Sequence, residues 1–186
     1  MFKIETHIVP KNAEDIALTM IQSQGKYTRI GHGSYGTVYG SKRSDIVYKL
    51  GEVDGNEGYL AYINVLAKQK THNPFTPKIY GVRFIKERNC AGVFVVAMER
   101  LTYMSNDIED EIPNFFEDQL MYGNPSIGTG IDMVLGIKHI IPDPLKQAIK
   151  ILKKAHASSN GKTSWDLHSG NFMMRGKQIV CIDPLS

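Results

Sequence analysis

Three oxygen-bearing side chains near the end of the sequence are spaced so that they could hold a divalent metal ion. Asn171 follows Asp166 by five residues in the string DLHSGN, and Asp183 ends the last apolar run. Mg²⁺ prefers carboxylate and amide oxygens and keeps its other positions for water and phosphate oxygens. The spacing predicts that Asn171 and Asp183 bind Mg²⁺, while Asp166 accepts or orients the proton of an attacking hydroxyl. The plainer alternative is that the three residues only stabilise a turn and a strand end.

A glycine-rich string, GHGSYGTVYG, lies in the first quarter of the chain. The G-x-G-x-x-G pattern also occurs in simple tight turns, but here a β-branched run follows the last glycine, which predicts a hairpin and not the start of a helix. Backbone N–H groups without a neighbouring Cβ can approach phosphates closely. The residues predicted to bind a nucleotide are Gly31, His32, Gly33, Ser34, Tyr35, Gly36 and Val38.

A lysine follows the glycine string on the next apolar run, IVYKL. From a strand beside such a hairpin, Lys49 can reach the α- and β-phosphates of a nucleotide. A carboxylate would have to hold its ammonium group in place. Glu57, at the start of the next helical pattern, is the predicted partner, and Glu52 is the alternative if the intervening loop is tighter.

The elements that must position these groups follow from periodicity. Asn12 to Gly25 predicts a leading helix, and a three-and-four spacing from Gly55 predicts a second helix. Runs of β-branched and aromatic residues predict strands at Tyr27–Ile30, Gly36–Tyr39, Ile46–Leu50, Lys78–Phe84 and Gly92–Met98. Five antiparallel strands with one helix would form an N-terminal lobe over residues 1–101.

The second half, residues 102–186, predicts a reduced and mainly helical C-terminal lobe. Helices are expected near Ile112–Met121 and, with a clear apolar stripe, over Pro142–Ser158. Two short strands, Phe172–Met174 and Gln178–Ile182, would follow the DLHSGN string. Residues 107–118 are rich in acids and residues 138–162 carry six lysines, which we interpret as solvated helix faces.

In this order, the glycine hairpin, strand lysine, helix glutamate, D-x-x-x-x-N and late aspartate resemble the protein-kinase-like superfamily over residues 26–185. The string DLHSGN with a later D-P is most similar to the early serine/threonine protein kinases of T7-like bacteriophages. The resemblance implies an α+β, two-lobed fold with ATP in the cleft between the lobes and with Met98, Glu99 and Leu101 beside the adenine. It also implies phosphorylation of host proteins and of the kinase itself during infection.

Several positions depart from the kinase pattern. His168 stands where ordinary kinases have a lysine that helps to neutralise the γ-phosphate, and no activation segment follows Asp183. An acceptor would then be held by the acidic residues 107–118, by a second copy of the chain or by the target itself. The forms D-L-H and I-D-P also resemble aminoglycoside and choline kinases, so a small-molecule acceptor remains an alternative. A binder that inhibits a host protein without phosphoryl transfer is the third.

Composition sets wider bounds. The chain has 186 residues and a net charge of +3, which does not by itself indicate a nucleic-acid partner. It contains no run of about 20 apolar residues and no signal-like beginning, so we expect a cytoplasmic protein without a membrane partner. Two cysteines, Cys90 and Cys181, each lie in an apolar stretch and are expected to be reduced core residues.

Overall fold

The computed structural model describes residues 3–9, 12–33, 36–88, 90–104, 143–159, 163–164, 166 and 169–185. The fold is α+β, as predicted. Two compact units divide the chain: the first comprises Met1–Asn56 with Lys78–Arg100, and the second comprises Glu57–Pro77 with Leu101–Ser186. The sequence pattern had placed the helix after Gly55 with the N-terminal strands, whereas its contacts group it with the residues that follow Leu101.

The first unit is built on a mixed six-stranded sheet with the order β1-β5-β6-β4-β3-β2. The strands are β1 (Lys3–Val9), β2 (Thr28–Gly33), β3 (Gly36–Gly40), β4 (Ile46–Glu52), β5 (Ile79–Glu87) and β6 (Cys90–Glu99). Strands β2 to β6 overlap the five segments predicted as strands, and they pair antiparallel with one another. The sixth, β1, was not predicted, and it pairs parallel to β5. An ion pair of 3.0 Å between Arg83 Nε and Glu5 Oε2 joins these two strands.

One helix, α1 (Ala13–Ser23), covers one face of this sheet. Its buried residues join a core made of Ala13, Ala17, Ile21, Tyr27, Leu50, Ile85, Val93 and Val95. Asn12, the N-cap residue, makes no side-chain capping hydrogen bond and adopts φ 63°. The first helical N–H, that of Ala13, instead donates to Glu87 Oε1 at 2.8 Å. A carboxylate from β5 therefore caps the helix start.

The second unit contains two helices and a small hairpin among its described residues. They are α2 (Glu57–Ala67), α3 (Asp143–Ser158), a 3₁₀ turn (Ser169–Asn171), β7 (Phe172–Arg175) and β8 (Gln178–Cys181). The helix α3 packs against α2 and buries Ile149, Leu152 and Ala155, while Lys150 is exposed, as the apolar stripe predicted. The predicted helix near Ile112–Met121 lies outside the described residues.

The cysteines are both free. Cys90 is exposed, which corrects the expectation that it belongs to the core; it begins β6 beside the turn from β5, where the strand has not yet entered the buried sheet. None of the helices in the described part of the chain is long and apolar enough to cross a bilayer.

Candidate active site

The glycine-rich string forms a β-hairpin in the first unit. Gly33 pairs with Gly36 and His32 with Thr37 across β2 and β3, and His32 Nδ1 lies 3.0 Å from Thr37 Oγ1. The predicted contacts Ser34 and Tyr35 lie outside the described residues. The hairpin that the sequence predicted is therefore present, and it does not open a helix.

Two glycines of this hairpin occupy different environments. Gly36 has φ 147°, and a Cβ at this position would lie 2.6 Å from the carbonyl oxygen of Leu50 on β4. The fold itself thus requires glycine at residue 36. Among the described residues other than its chain neighbours, no atom lies within 4 Å of a Cβ built at Gly33, and its φ lies outside the positive range. Contacts among the described residues therefore do not require glycine at residue 33, and a glycine also allows a ligand to approach the backbone closely.

Lys49 lies on β4 directly opposite Val38 of β3 and Val96 of β6. Directly opposed residues in an antiparallel ladder share a face of the sheet. Val47, two residues before Lys49, is opposite Met98 and lies on that face too. Leu50, with the opposite parity, packs in the core beneath α1. Lys49 is half-buried and lies on the face that α1 does not cover, beside the buried side chains of Val47 and Val96.

The predicted adenine-side residues have structural roles as well. Strand β6 continues through Glu99, which is 8% exposed. Its Oε1 accepts from the N–H of Lys78 at 2.7 Å, and its own N–H donates to the Lys78 carbonyl at 3.0 Å. The N–H of Arg100 donates to the Asp45 carbonyl at 2.7 Å. The backbone N–H groups of Glu99 and Arg100 are therefore already hydrogen-bonded within the protein. They are not available to a nucleotide base beside this strand. Leu101 is buried in the second unit.

In the second unit, Asp166 and Asn171 are joined by a short hydrogen bond. The Asn171 side-chain Nδ2 donates to the backbone oxygen of Asp166 at 2.6 Å. Asn171 is 8% exposed, so this bond is shielded from water. The amide nitrogen is a hydrogen-bond donor and not a metal ligand, so Oδ1 is the side-chain atom of Asn171 that could bind a metal.

Asp183 lies between two residues that are bonded to the same turn. The N–H of Ile182 donates to the Asn171 carbonyl at 2.8 Å, and the N–H of Asp166 donates to the Pro184 carbonyl at 3.0 Å. These bonds connect the residues on either side of Asp183 to Asn171 and Asp166. The three predicted residues are therefore brought together at one end of the β7–β8 hairpin.

Two buried tyrosines of α2 lie close to Asp183 and were missed by the sequence reasoning. Tyr59 is 3% exposed and Tyr62 is fully buried. Burial raises the pKa of Tyr59 well above its ordinary value, and the negative charge of Asp183 raises it further. The Tyr62 hydroxyl donates to the Cys181 carbonyl at 2.9 Å. A buried tyrosine needs a hydrogen-bond partner for its hydroxyl. Tyrosines within an otherwise apolar helical pattern were therefore the sequence signal that could have pointed to these residues.

The predicted partner of Lys49 is Glu57, and both residues lie among the described residues. Glu57 is the exposed first residue of α2, in the second unit, whereas Lys49 belongs to the first. The pairing of Lys49 with Glu57, and the alternative with Glu52, stay predictions. His168 lies outside the described residues.

The donor set near Asp183 fits Mg²⁺. One carboxylate and one amide oxygen supply two protein ligands, and Mg²⁺ commonly binds through one or two protein groups while it keeps waters and substrate phosphate oxygens. Within the described ranges, no cluster of three histidine, cysteine or acidic side chains is found. A closed structural metal site of the zinc type, which needs four ligands, is therefore not among the described residues.

Comparison with known proteins gives a distant structural likeness. No protein-family model and no curated protein sequence matches the chain. Among solved structures, the chain is similar to a streptomycin–ATP–APH(2")-IIa ternary complex, with a TM-score of 0.37 and 10% sequence identity. The match covers 96% of this chain and 72% of that chain.

Proposed function

We propose that this protein is an ATP- and Mg²⁺-dependent phosphotransferase of the protein-kinase-like superfamily. The observation that carries the proposal is the pair of backbone hydrogen bonds, from Ile182 to Asn171 and from Asp166 to Pro184, that bring Asp166 and Asn171 to Asp183. A turn with a purely structural role would not need three hard oxygen groups at one strand end. The glycine hairpin and Lys49, on neighbouring strands of one sheet, supply the phosphate-binding half.

Each residue has a distinct role in the proposed reaction. Asn171 Oδ1 and the Asp183 carboxylate would hold Mg²⁺, which neutralises phosphate charge when it is bound. The Asp166 carboxylate orients the acceptor hydroxyl and takes its proton. The hydroxyl oxygen forms a bond to the γ-phosphorus as the bond to the β,γ-bridging oxygen breaks, and ADP leaves. The backbone at Gly33 and the Lys49 ammonium bind the phosphates.

Binding of the nucleotide base is proposed beside the half-buried Val38, on the Lys49 face of the sheet. Val47, Val96 and Met98 lie on the same face and are themselves buried. Ligand pockets are lined mainly by apolar side chains, with a few polar groups that fix the orientation of the ligand. In this proposal the base lies on that face and the phosphates lie toward the hairpin.

We further propose that the acceptor is a serine or threonine hydroxyl of a protein, including this chain itself. The support is the resemblance of DLHSGN and the later D-P to the phage enzymes, which would place the acceptors among host proteins in the cytoplasm of an infected cell. A small alcohol is the alternative acceptor, because D-L-H and I-D-P also occur in aminoglycoside and choline kinases. Substrate could also be presented by a second copy of the chain.

Transfer of labelled γ-phosphate from ATP tests these proposals together. The wild type is incubated with Mg²⁺, a bacterial protein extract and, separately, aminoglycosides and choline. Asp166→Ala and Asp183→Asn should abolish transfer, and Lys49→Ala should lower ATP affinity. Label on protein supports the protein kinase, and label only on a small alcohol supports the alternative. Absence of transfer with every acceptor would favour a non-catalytic binder, and unchanged ATP affinity and activity in Lys49→Ala would contradict the nucleotide site.

A further inference from the structure

The segment that carries Asp183 is held by backbone hydrogen bonds at the residues on both sides of it. The N–H of Cys181 donates to the Phe75 carbonyl at 3.0 Å, and the N–H of Ile182 donates to the Asn171 carbonyl at 2.8 Å. The carbonyl of Pro184 accepts from Asp166 at 3.0 Å. Asp183 itself lies between these anchored residues, so the direction of its side chain depends on them.

Tyr62 supplies a further bond to this segment, and it comes from α2. Its hydroxyl donates to the Cys181 carbonyl at 2.9 Å, across 119 residues of sequence. Tyr62 is fully buried, and a hydrogen bond shielded from water fixes its partners more firmly than an exposed one. Burial raises the pKa of Tyr62 well above its ordinary value, and interactions with Cys181 and Asp183 raise it further. The hydroxyl therefore remains a donor at physiological pH.

The same helical face carries Tyr59. Residues three apart on a helix are neighbours on its surface, and the charge of Asp183 acts on the Tyr59 hydroxyl as well. A displacement of α2 would consequently move Tyr62 away from the Cys181 carbonyl, two residues before the proposed metal ligand. The position of α2 and the position of Asp183 are thus mechanically linked within the second unit.

We infer that Tyr62 is a positioning residue for Mg²⁺ binding, which fixes Asp183 by holding the Cys181 carbonyl from α2. This inference rests on the proposed function, because it concerns the metal site of that reaction. Tyr62 touches neither metal nor substrate in this role.

The test compares Tyr62→Phe with Tyr27→Phe. Tyr27 is a matched control because it is also a buried tyrosine, 7% exposed, and its hydroxyl is bonded at 2.9 Å to Ser44 Oγ, in the first unit. Both variants lose one hydroxyl and keep the ring, so both should fold with similarly small losses of stability. Two readouts follow: the Mg²⁺ concentration that gives half-maximal ATP binding by calorimetry, and amide hydrogen exchange of a peptide spanning residues 178–184.

For Tyr62→Phe we expect an increase of about 5- to 10-fold in the Mg²⁺ requirement and exchange about 5-fold faster in that peptide, as expected for loss of one buried hydrogen bond. Tyr27→Phe should leave both unchanged. Equal Mg²⁺ requirements in the two variants would overturn the inference while the proposed function stands. If the wild type itself shows neither Mg²⁺-dependent ATP binding nor transfer, the proposed function fails and the inference fails with it.

Discussion

Alanine substitutions at two glycines of the hairpin should separate a glycine required by the fold from a glycine required by a ligand. At Gly36, alanine would adopt φ 147° and its Cβ would lie 2.6 Å from the Leu50 carbonyl oxygen. The backbone conformation costs about 1 to 3 kcal/mol and the overlap a similar amount, partly relieved by movement of β3. We expect Gly36→Ala to lower the free energy of unfolding by about 2 to 4 kcal/mol and the Tm by about 4 to 16 °C.

Gly33→Ala should behave in the opposite way. In the described part of the chain, chain neighbours aside, no atom lies within 4 Å of the added Cβ, and φ is outside the positive range. The unfolding free energy should therefore stay the same or rise by about 0.4 to 1 kcal/mol. If phosphates approach this backbone, the methyl group will separate them from the N–H groups and weaken ATP binding by at least about tenfold, or about 1.4 kcal/mol.

The assays are urea unfolding followed by circular dichroism, and calorimetric titration with ATP in the presence of Mg²⁺. A Gly33→Ala protein with wild-type stability and wild-type ATP affinity would refute the assignment of this hairpin as a phosphate loop. A Gly36→Ala protein as stable as the wild type would refute the argument from close strand packing. Because the two substituted residues lie three positions apart in one hairpin, general damage to the loop cannot explain opposite results.

Three further outcomes are expected. Asn171→Ala should lower the free energy of unfolding by about 1 to 3 kcal/mol, because it removes the buried donor to Asp166, and should abolish Mg²⁺-dependent ATP binding; unfolding and calorimetry check both. Ellman's reagent should react rapidly with only one thiol of the native chain, the exposed Cys90, because burial raises the pKa of the Cys181 thiol and keeps it protonated; two rapid thiols would contradict this. Since burial raises the pKa of Tyr62 above its ordinary 10.0, its contribution to stability is complete below about pH 10 and is lost as the pH rises further; Tyr62→Phe should flatten the alkaline limb of a pH–stability curve.

Local patterns predicted most of the described elements and indicated the candidate site residues. Some elements follow from the periodicity of their own segment alone. They are the hairpin at Gly33–Gly36, the strand that carries Lys49 and the helix that ends at Ser158. Asp166, Asn171 and Asp183 lie within eighteen residues, so a turn and a short hairpin suffice to bring them together.

Features that depend on distant pairing were not predictable in the same way. Strand β1 alternates weakly and is rich in polar residues, and its choice of β5 as a parallel partner depends on residues more than seventy positions away. The capping of α1 by Glu87 and the bond from Tyr62 to Cys181 are likewise long-range.

The parallel strand β1 has a consequence for the behaviour of the chain before it is fully folded. It covers one side of β5, which without it would present a row of unpaired backbone groups at the border of the sheet. Pairing of β1 with β5 closes a loop of more than seventy residues, which is slow relative to formation of the neighbouring hairpins. We therefore expect deletion of residues 1–9 to cause self-association through β5, detectable by light scattering, before it causes loss of helical content.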